Sequence, residues 1–382
     1  MRPIGYRDVG VNVEAKEALL QRLRERIRST FTPAVLDRVG LFSGFIRLPA
    51  EEDLILAATV DGVGTKTEVA NLVGDHRVIG HDVVAHNLND LACHGARPLL
   101  FLDYFASGRW RPEVLEAVLE GMAEACSAYG VALLGGEVAQ MPDVYREDAY
   151  EVVGCAVGVV APARMVDGSG IRPRDVLVGL GSTGLHTNGY SLARRVLLRR
   201  PEDVHRYEPE LGCTRGEALL RPHRCYAQTL LALLAAFPEA VTGIAHVTGG
   251  GIRGNLVRIL PAGCRARVEV CWPIPPVFRL IAREGPVEQE EMFRVFNMHD
   301  PLRAPGCGGG DFRLPPSTRG KGLGDRGDRR GRAGGGDPDG GVRRARAGAA
   351  CGTGLWKRHE PPGHPRCLCT AGLPRGGGGG GL

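Results

Sequence analysis

Apolar and polar positions alternate with two rhythms along the first 298 residues. Between Asn12 and Thr30, Leu19, Leu20, Leu23 and Ile27 stand at helical spacing with charges between them, which predicts a helix. LILAATV (54–60) reads as a strand that runs into a glycine-rich turn, DGVGTK (61–66). After Pro112, Leu115, Val118, Leu119, Met122 and Cys126 share one apolar face; Pro112 suits a first turn and Gly130 a stop. VALL (131–134) and VVGCAVGVV (152–160) are apolar enough for buried strands.

The polar stretch from Pro162 to Pro173 separates two strand patterns and marks a boundary. Beyond it, VLVGL (176–180) leads through GSTGLHTNGYS to a helix beginning near Leu192. IAHV (244–247) leads through TGGGIRGN to a second helix, NLVRIL. Mixed strands and helices with glycines at strand ends predict an α/β (α+β) chain. Its expected parts are residues 1–168, residues 169–298 and a tail, 299–382.

The tail differs in kind. Of its 84 residues 25 are Gly, Val occurs once and Ile is absent, so it is expected to be disordered for want of apolar surface. It also carries the basic charge: +8, against −3 for the rest, so the body gives no electrostatic reason to expect nucleic acid. GDRGDRRGR and VRRARAG leave RNA binding as a reading of a different class. His359, His364, Cys367 and Cys369 match no common zinc spacing. No apolar run reaches membrane-spanning length, the N-terminus is no signal peptide, and the scattered cysteines fit a reducing compartment. The expectation is a cytoplasmic protein.

Candidate chemistry sits at the strand ends. In DGVGTK, Gly62 and Gly64 let backbone N–H groups approach phosphate oxygens, Lys66 can pair a phosphate, and Asp61 can hold Mg²⁺. A plain tight turn with a solvated lysine fits that string about as well. HDVVAHNLNDLACHGARPLLFLDY (81–104) places Asp82, Asn89, Asp90 and Asp103 among apolar residues, where a carboxylate is costly unless neutralised. Metal contacts and ordinary capping or arginine pairing both answer that. LLGGEVAQMP ends a strand and puts Glu137 where the strand opens into a loop. STGLHTNGYS and VTGGGIRGN place glycines before helix N-termini, natural anion sites, with His186 and His246 as the histidines nearest chemistry.

Taken in order, YRDVGV, DGVGTK, NDLACHGARPLLFLDY, GGEVAQMP, GLHTNGYSLARRV, HVTGGGI and EMFRVFNM span some 290 residues. This series resembles the phosphoribosylformylglycinamidine cyclo-ligase family, the aminoimidazole ribonucleotide synthetases. The resemblance implies an ATP-binding, dimer-forming first domain, a substrate domain and a homodimer paired through the first domains. It implies ATP-dependent ring closure of formylglycinamidine ribonucleotide to 5-aminoimidazole ribonucleotide, with Mg²⁺. Carried over by position, Asp61, Asp82 and Asp90 stand near the metal, and Lys66 and His186 are the catalytic candidates. Asp61, Gly62, Gly64, Thr65, Lys66, Asn89, Asp90 and Glu137 fall to the nucleotide. Thr187, Asn188, Gly189, Gly249, Gly250 and Gly251 fall to the substrate. Val138, Gln140 and Asp143 depart from the family's GGETAEMPG. Sibling enzymes that also activate an oxygen with ATP, of the formylglycinamide ribonucleotide amidotransferase or thiamine-monophosphate kinase type, are the alternative.

The family continues past FNM with a G-I-G turn, an apolar strand, a helix and a last strand like VIGEIVEG. This chain instead reads HDPLRAPGCGGG. Codons for GDRGDRRG (324–331), read one nucleotide later, can spell V-I-G-E-I-V-E-G. The same shift lets GLWKRHEPPGHPRCLC (354–369) resemble the opening of glycinamide ribonucleotide formyltransferase. The tail therefore reads as out of frame from about Met298, with the second domain truncated.

Overall fold

The computed structural model describes residues 5, 8, 34–36, 41–48, 53–270 and 272–298, together with the strands Asp311–Arg313 and Thr353–Lys357. The helix expected over 12–30 lies outside the described residues.

The first half is a five-stranded sheet carrying helices on one face. Its strands are β1 (Gly44–Arg47), β2 (Ile55–Gly62), β3 (Arg97–Ser107), β4 (Ala132–Gln140) and β5 (Tyr150–Val160), in the order β1-β2-β5-β3-β4. Only β3 and β4 run parallel. Helix α1 (Lys66–Val73) follows β2, α2 (Arg77–Ala92) precedes β3, and α3 (Pro112–Tyr129) joins β3 to β4. The predicted start and stop of α3 hold: Pro112 is in its first turn and Gly130, in the left-handed region at φ 67°, caps its end.

Alternation along β5 splits the sheet into two faces. Val152, Ala156 and Val160 turn inward with Ala57, Phe101 and Phe105 against α2 and α3. Those two helices pack unusually close, because a Cβ on Gly80 would lie 2.0 Å from the Val118 carbonyl and one on Gly121 2.0 Å from that of Arg77. On the opposite face, Val60, Cys155 and Leu102 align across three strands, and Val60 is 64% exposed.

The second half contains β6 (Val176–Leu180), α4 (Tyr190–Leu197), α5 (Arg215–Leu219), α6 (Ala227–Ala236), β7 (Val241–His246) and α7 (Gly251–Leu256). It continues with β8 (Arg267–Glu269), α8 (Pro276–Glu284) and α9 (Gln289–Val295). Two short tail strands complete its sheets. β9 (Asp311–Arg313) pairs with β8, and β10 (Thr353–Lys357) lies between β6 and β7, antiparallel to both. The rest of the tail lies outside the described residues.

Three local expectations shift. Asp61 and Gly62 belong to β2, paired with Gly154 and Val153, rather than to the turn. The strand begun by VALL runs on to Gln140, with Glu137 opposite Tyr104. Glycine at 136 permits this, because a Cβ there would meet the Asp103 carboxylate at 2.3 Å. The helix expected from Asn255 starts a turn earlier, at Gly251.

Candidate active site at the junction of the two halves

Helix α2 supplies the centre of the site. Asp82, His86, Asn89 and Asp90 recur at helical spacing and form one polar stripe on a helix whose other positions are mostly apolar and buried. With α3 and the sheet covering the apolar sides, the stripe faces the second half, which must satisfy it.

Asp82 and Lys66 satisfy each other. Lys66 Nζ lies 2.5 Å from Asp82 Oδ2, both side chains are fully buried, and Nζ also donates to the Arg221 carbonyl at 2.7 Å. The backbone N–H of His223 donates to Asp82 Oδ1 at 2.7 Å. Burial pushes the Asp82 carboxyl up to about 6 even with Lys66 beside it, and pulls Lys66 down. Lys66 is thus not the solvated lysine of a plain turn: its ammonium meets Asp82 and the Arg221 carbonyl, and it covers the Asp82 carboxylate. Together they fasten α1 and α2 to the loop at 221–223. Asn89 does the same two turns further on: its Nδ2 donates to the Arg224 carbonyl at 2.9 Å, and its Oδ1 accepts from Tyr226 N–H at 2.6 Å. Asn89 is thus a clasp between the halves.

Asp61 and Asp90 do converge. Their charges act on one another, and Thr59 Oγ1 lies 3.4 Å from Asp90 Oδ2. Burial raises the Asp61 carboxyl to about 6, with Asp90 adding to the rise and His86 opposing it. Burial would raise Asp90 as well, but the hydrogen bond and charge of His246 hold it below the usual carboxylate range. His246 Nδ1 lies 2.7 Å from Asp90 Oδ1, and His86 Nε2 lies 3.6 Å from Asp61 Oδ2. Two neighbouring carboxylates repel unless a proton or a cation lies between them. The pair therefore fits Mg²⁺, and Asp61, half-exposed, is its face toward solvent.

Four histidines surround this pair. His186 stacks on His223 with centroids 4.1 Å apart, and His86 stands 5.3 Å from both His223 and His246. Thr187 Oγ1 lies 2.9 Å from His86 Nδ1 and 3.3 Å from His223 Nδ1. Burial pulls His86, His186 and His223 below the ordinary imidazole range, furthest for the last two. His186 is held in the left-handed region at φ 61°, its Nε2 accepts the Thr183 N–H at 3.2 Å, and its buried Nδ1 has no partner. A strained backbone carrying an unsatisfied ring nitrogen beside the carboxylates keeps His186 among the catalytic candidates.

The glycine loops divide. Gly64, at φ 66° with open space where a Cβ would be, and Thr65, whose hydroxyl lies 3.1 Å from Ser191 Oγ, flank the mouth of β2. Gly249 lies against Asn188, whose Oδ1 is 3.2 Å from the position of a Cβ, so the two substrate loops meet. Gly189 and Gly251, by contrast, have packing reasons. A Cβ would lie 2.3 Å from the Phe296 ring in the first case and 1.9 Å from the Phe293 carbonyl in the second. Gly250, at φ 99°, caps α7. Glu137 is exposed on the edge strand β4 and stands apart from the cluster.

Sequence reasoning passed over His86 and His223. His86 had a signal, standing four residues from both Asp82 and Asp90. His223 had none, because its place comes from the tertiary contact of its loop with α2.

Comparison with known proteins bears on all of this. The N-terminal domain model of "AIR synthase related protein" matches residues 42–160 and the C-terminal domain model matches 172–300. A phosphoribosylformylglycinamidine cyclo-ligase of Sorangium cellulosum is 46% identical over 298 residues, covering 77% of this chain and 86% of that protein. One from an Anaeromyxobacter species is 44% identical, covering 83% and 93%. Among solved structures, AaThiL complexed with AMPPCP and TMP superposes with a TM-score of 0.52 at 13% identity, over 80% of this chain and 94% of that one, a likeness of fold. The buried stripe of α2 and the paired carboxyls thus lie within the matched stretches, and the chain belongs to the phosphoribosylformylglycinamidine cyclo-ligase (AIR synthase) family.

Proposed function

We propose that the chain performs the reaction for which its relatives are named: ATP-dependent closure of the imidazole ring of 5-aminoimidazole ribonucleotide from formylglycinamidine ribonucleotide. ATP, when bound, supplies the phosphoryl group that turns the formyl oxygen into a leaving phosphate. Asp61 and Asp90 would hold Mg²⁺, and Gly62, Gly64 and Thr65 would line the phosphates. Thr187, Asn188 and Gly249 would contact the substrate. Lys66, Asp82 and Asn89 act one step back, fixing the two halves so that both sets of groups face one point. Catalysis in such a site is mostly positioning and charge neutralisation, which a rigid joint favours. The observation that carries this reading is that Asp61 and Asp90 gather at His86 and His246, with second-half residues closed around them.

Three further parts belong to the same reading. The uncovered sheet face is apolar (Leu56, Ala58 and Val60 on β2; Val153, Cys155 and Val157 on β5; Leu100 and Leu102 on β3), which fits pairing with a second copy. No helix among the described residues is long and apolar enough to cross a membrane, and we place the enzyme in the cytoplasm. The C-terminal family match ends at residue 300, in keeping with a tail that is out of frame from about Met298.

The experiment is ADP release and cyclisation assayed with formylglycinamidine ribonucleotide, beside thiamine monophosphate and formylglycinamide ribonucleotide. It uses this chain and a version whose ending is restored in frame. Turnover confined to the first substrate supports the reading; turnover only with another overturns it. An uninterrupted genomic frame through Met298 would refute the frame slip.

A further inference from the structure

His86 and Asp90 stand four residues apart on α2 and so project from one face of the helix. His246, the last residue of β7, meets them from the second half of the chain. One ligand atom from each of the three lies within 4.8 Å of the others, and all three side chains are buried. Asp61 Oδ2, 3.6 Å from His86 Nε2, offers a fourth oxygen, and its half-exposed carboxyl gives an ion a way in. We propose that His86, Asp90 and His246 form a binding site for a divalent transition metal of the zinc class, which clips the two halves of the chain together.

The donor set selects the ion. Mg²⁺ and Ca²⁺ take oxygen ligands and gain little from imidazole. Two imidazoles with one carboxylate are the ligand set of open zinc sites, and imidazole nitrogen also suits Co²⁺ and Ni²⁺. The surroundings are preorganised. Thr187 fixes the far nitrogen of His86 at 2.9 Å, and Thr59 lies 3.4 Å from the second Asp90 oxygen, which is the outer support that metal-ligating residues need. His246 comes from a fully buried strand and cannot swing away.

Asp61 and Asp90 are shared with the Mg²⁺ of the proposed function, so a bound transition metal excludes Mg·ATP. The site does not depend on ring-closing activity, and its test uses no nucleotide. Co²⁺ is titrated into the full chain in which His299, Cys307, Cys351, His359, His364, Cys367 and Cys369 are replaced by alanine, so that the tail's histidines and cysteines cannot compete. One equivalent should bind with visible absorption bands, be displaced by Zn²⁺ and resist millimolar Mg²⁺. His86→Gln and His246→Gln should each weaken Co²⁺ binding more than ~100-fold, since even an outer support of a ligand is worth about 10–100-fold. His205→Gln, on an exposed turn, should bind as the parent does. Absence of saturable absorption, displacement by Mg²⁺, or unchanged affinity in folded His86→Gln protein would overturn the proposal. If the glutamine variants do not fold, X-ray absorption of the Zn²⁺-loaded parent decides: imidazole and oxygen neighbours support the site, and their absence overturns it.

Discussion

Replacing Lys66 by methionine separates a buried ion pair from a phosphate-binding lysine. Among the described residues Lys66 Nζ meets interior partners: Asp82 Oδ2 at 2.5 Å, the Arg221 carbonyl at 2.7 Å and the Tyr190 ring, its centroid 5.6 Å away. Methionine fills a similar volume but leaves the Asp82 carboxylate buried without its cation. Removing one member of such a pair costs about 3–5 kcal/mol, whereas removing both is far cheaper. Urea unfolding at pH 7.5 should therefore show Lys66→Met destabilised by ~3–5 kcal/mol. Lys66→Met/Asp82→Leu should recover most of that, short by the ~1–2 kcal/mol of the stranded His223 N–H and Arg221 carbonyl. The pH dependence provides an independent check. Burial already raises Asp82 to about 6 with Lys66 present, and the variant lacks that cation, so its folded value lies higher still. A carboxyl whose folded value exceeds its unfolded value stabilises when protonated. The variant's deficit should therefore shrink, by up to about 1.4 kcal/mol per unit, as pH falls from the variant's folded value to about 6; below that the parent's Asp82 protonates too and the two proteins run parallel. A Lys66→Met protein within about 0.5 kcal/mol of the parent, the scatter of ordinary surface substitutions, yet with Mg·ATP affinity lost, would refute the reasoning and return Lys66 to the phosphates.

Other outcomes follow from the same geometry. Because Asp61 is raised to about 6, protons compete with Mg²⁺ below that pH. Mg·ATP affinity measured by calorimetry should fall roughly tenfold per unit there, and a flat profile down to pH 5 would contradict the raised carboxyl. Gly251→Ala puts a Cβ 1.9 Å from the Phe293 carbonyl at φ 64°, and should lower stability by about 2–4 kcal/mol in thermal or urea unfolding. If Gly251 instead serves substrate, KM will rise with stability unchanged. Leu355→Pro removes a backbone donor from β10, which pairs with β6 and β7 on its two sides, and should cost ~3 kcal/mol; no change in unfolding midpoint would show that β10 does not hold that sheet.

How far the sequence carried depends on whether a feature is local. The start and stop of α3 were legible because Pro112 and Gly130 act on their own turns. Asp82, Asn89 and Asp90 stood out in the sequence as polar groups among apolar neighbours, but the helix and the shared face that make them a stripe were not read from their spacing. The buried partner of Lys66 was not legible, because it is set by the packing of α1 on α2 and the loop at 221–223, which no spacing encodes. Gly189 and Gly251 were ambiguous for a different reason. Glycine before a helix serves an anion or a tight contact equally well, and only the position of residues 293–296 distinguishes them. Glu137 followed a strand end that cross-strand pairing carried four residues further.

The account's central claim is that Asp61 and Asp90 together hold the metal of Mg·ATP at the junction of the two halves. Calorimetric titration of the full chain with Mg·AMPPCP, beside Asp90→Asn and Asp61→Asn, tests it most directly. The account predicts saturable binding by the parent and a loss of at least tenfold in each variant, with no comparable loss for Glu137→Gln. Equal affinity in parent and both variants would contradict it.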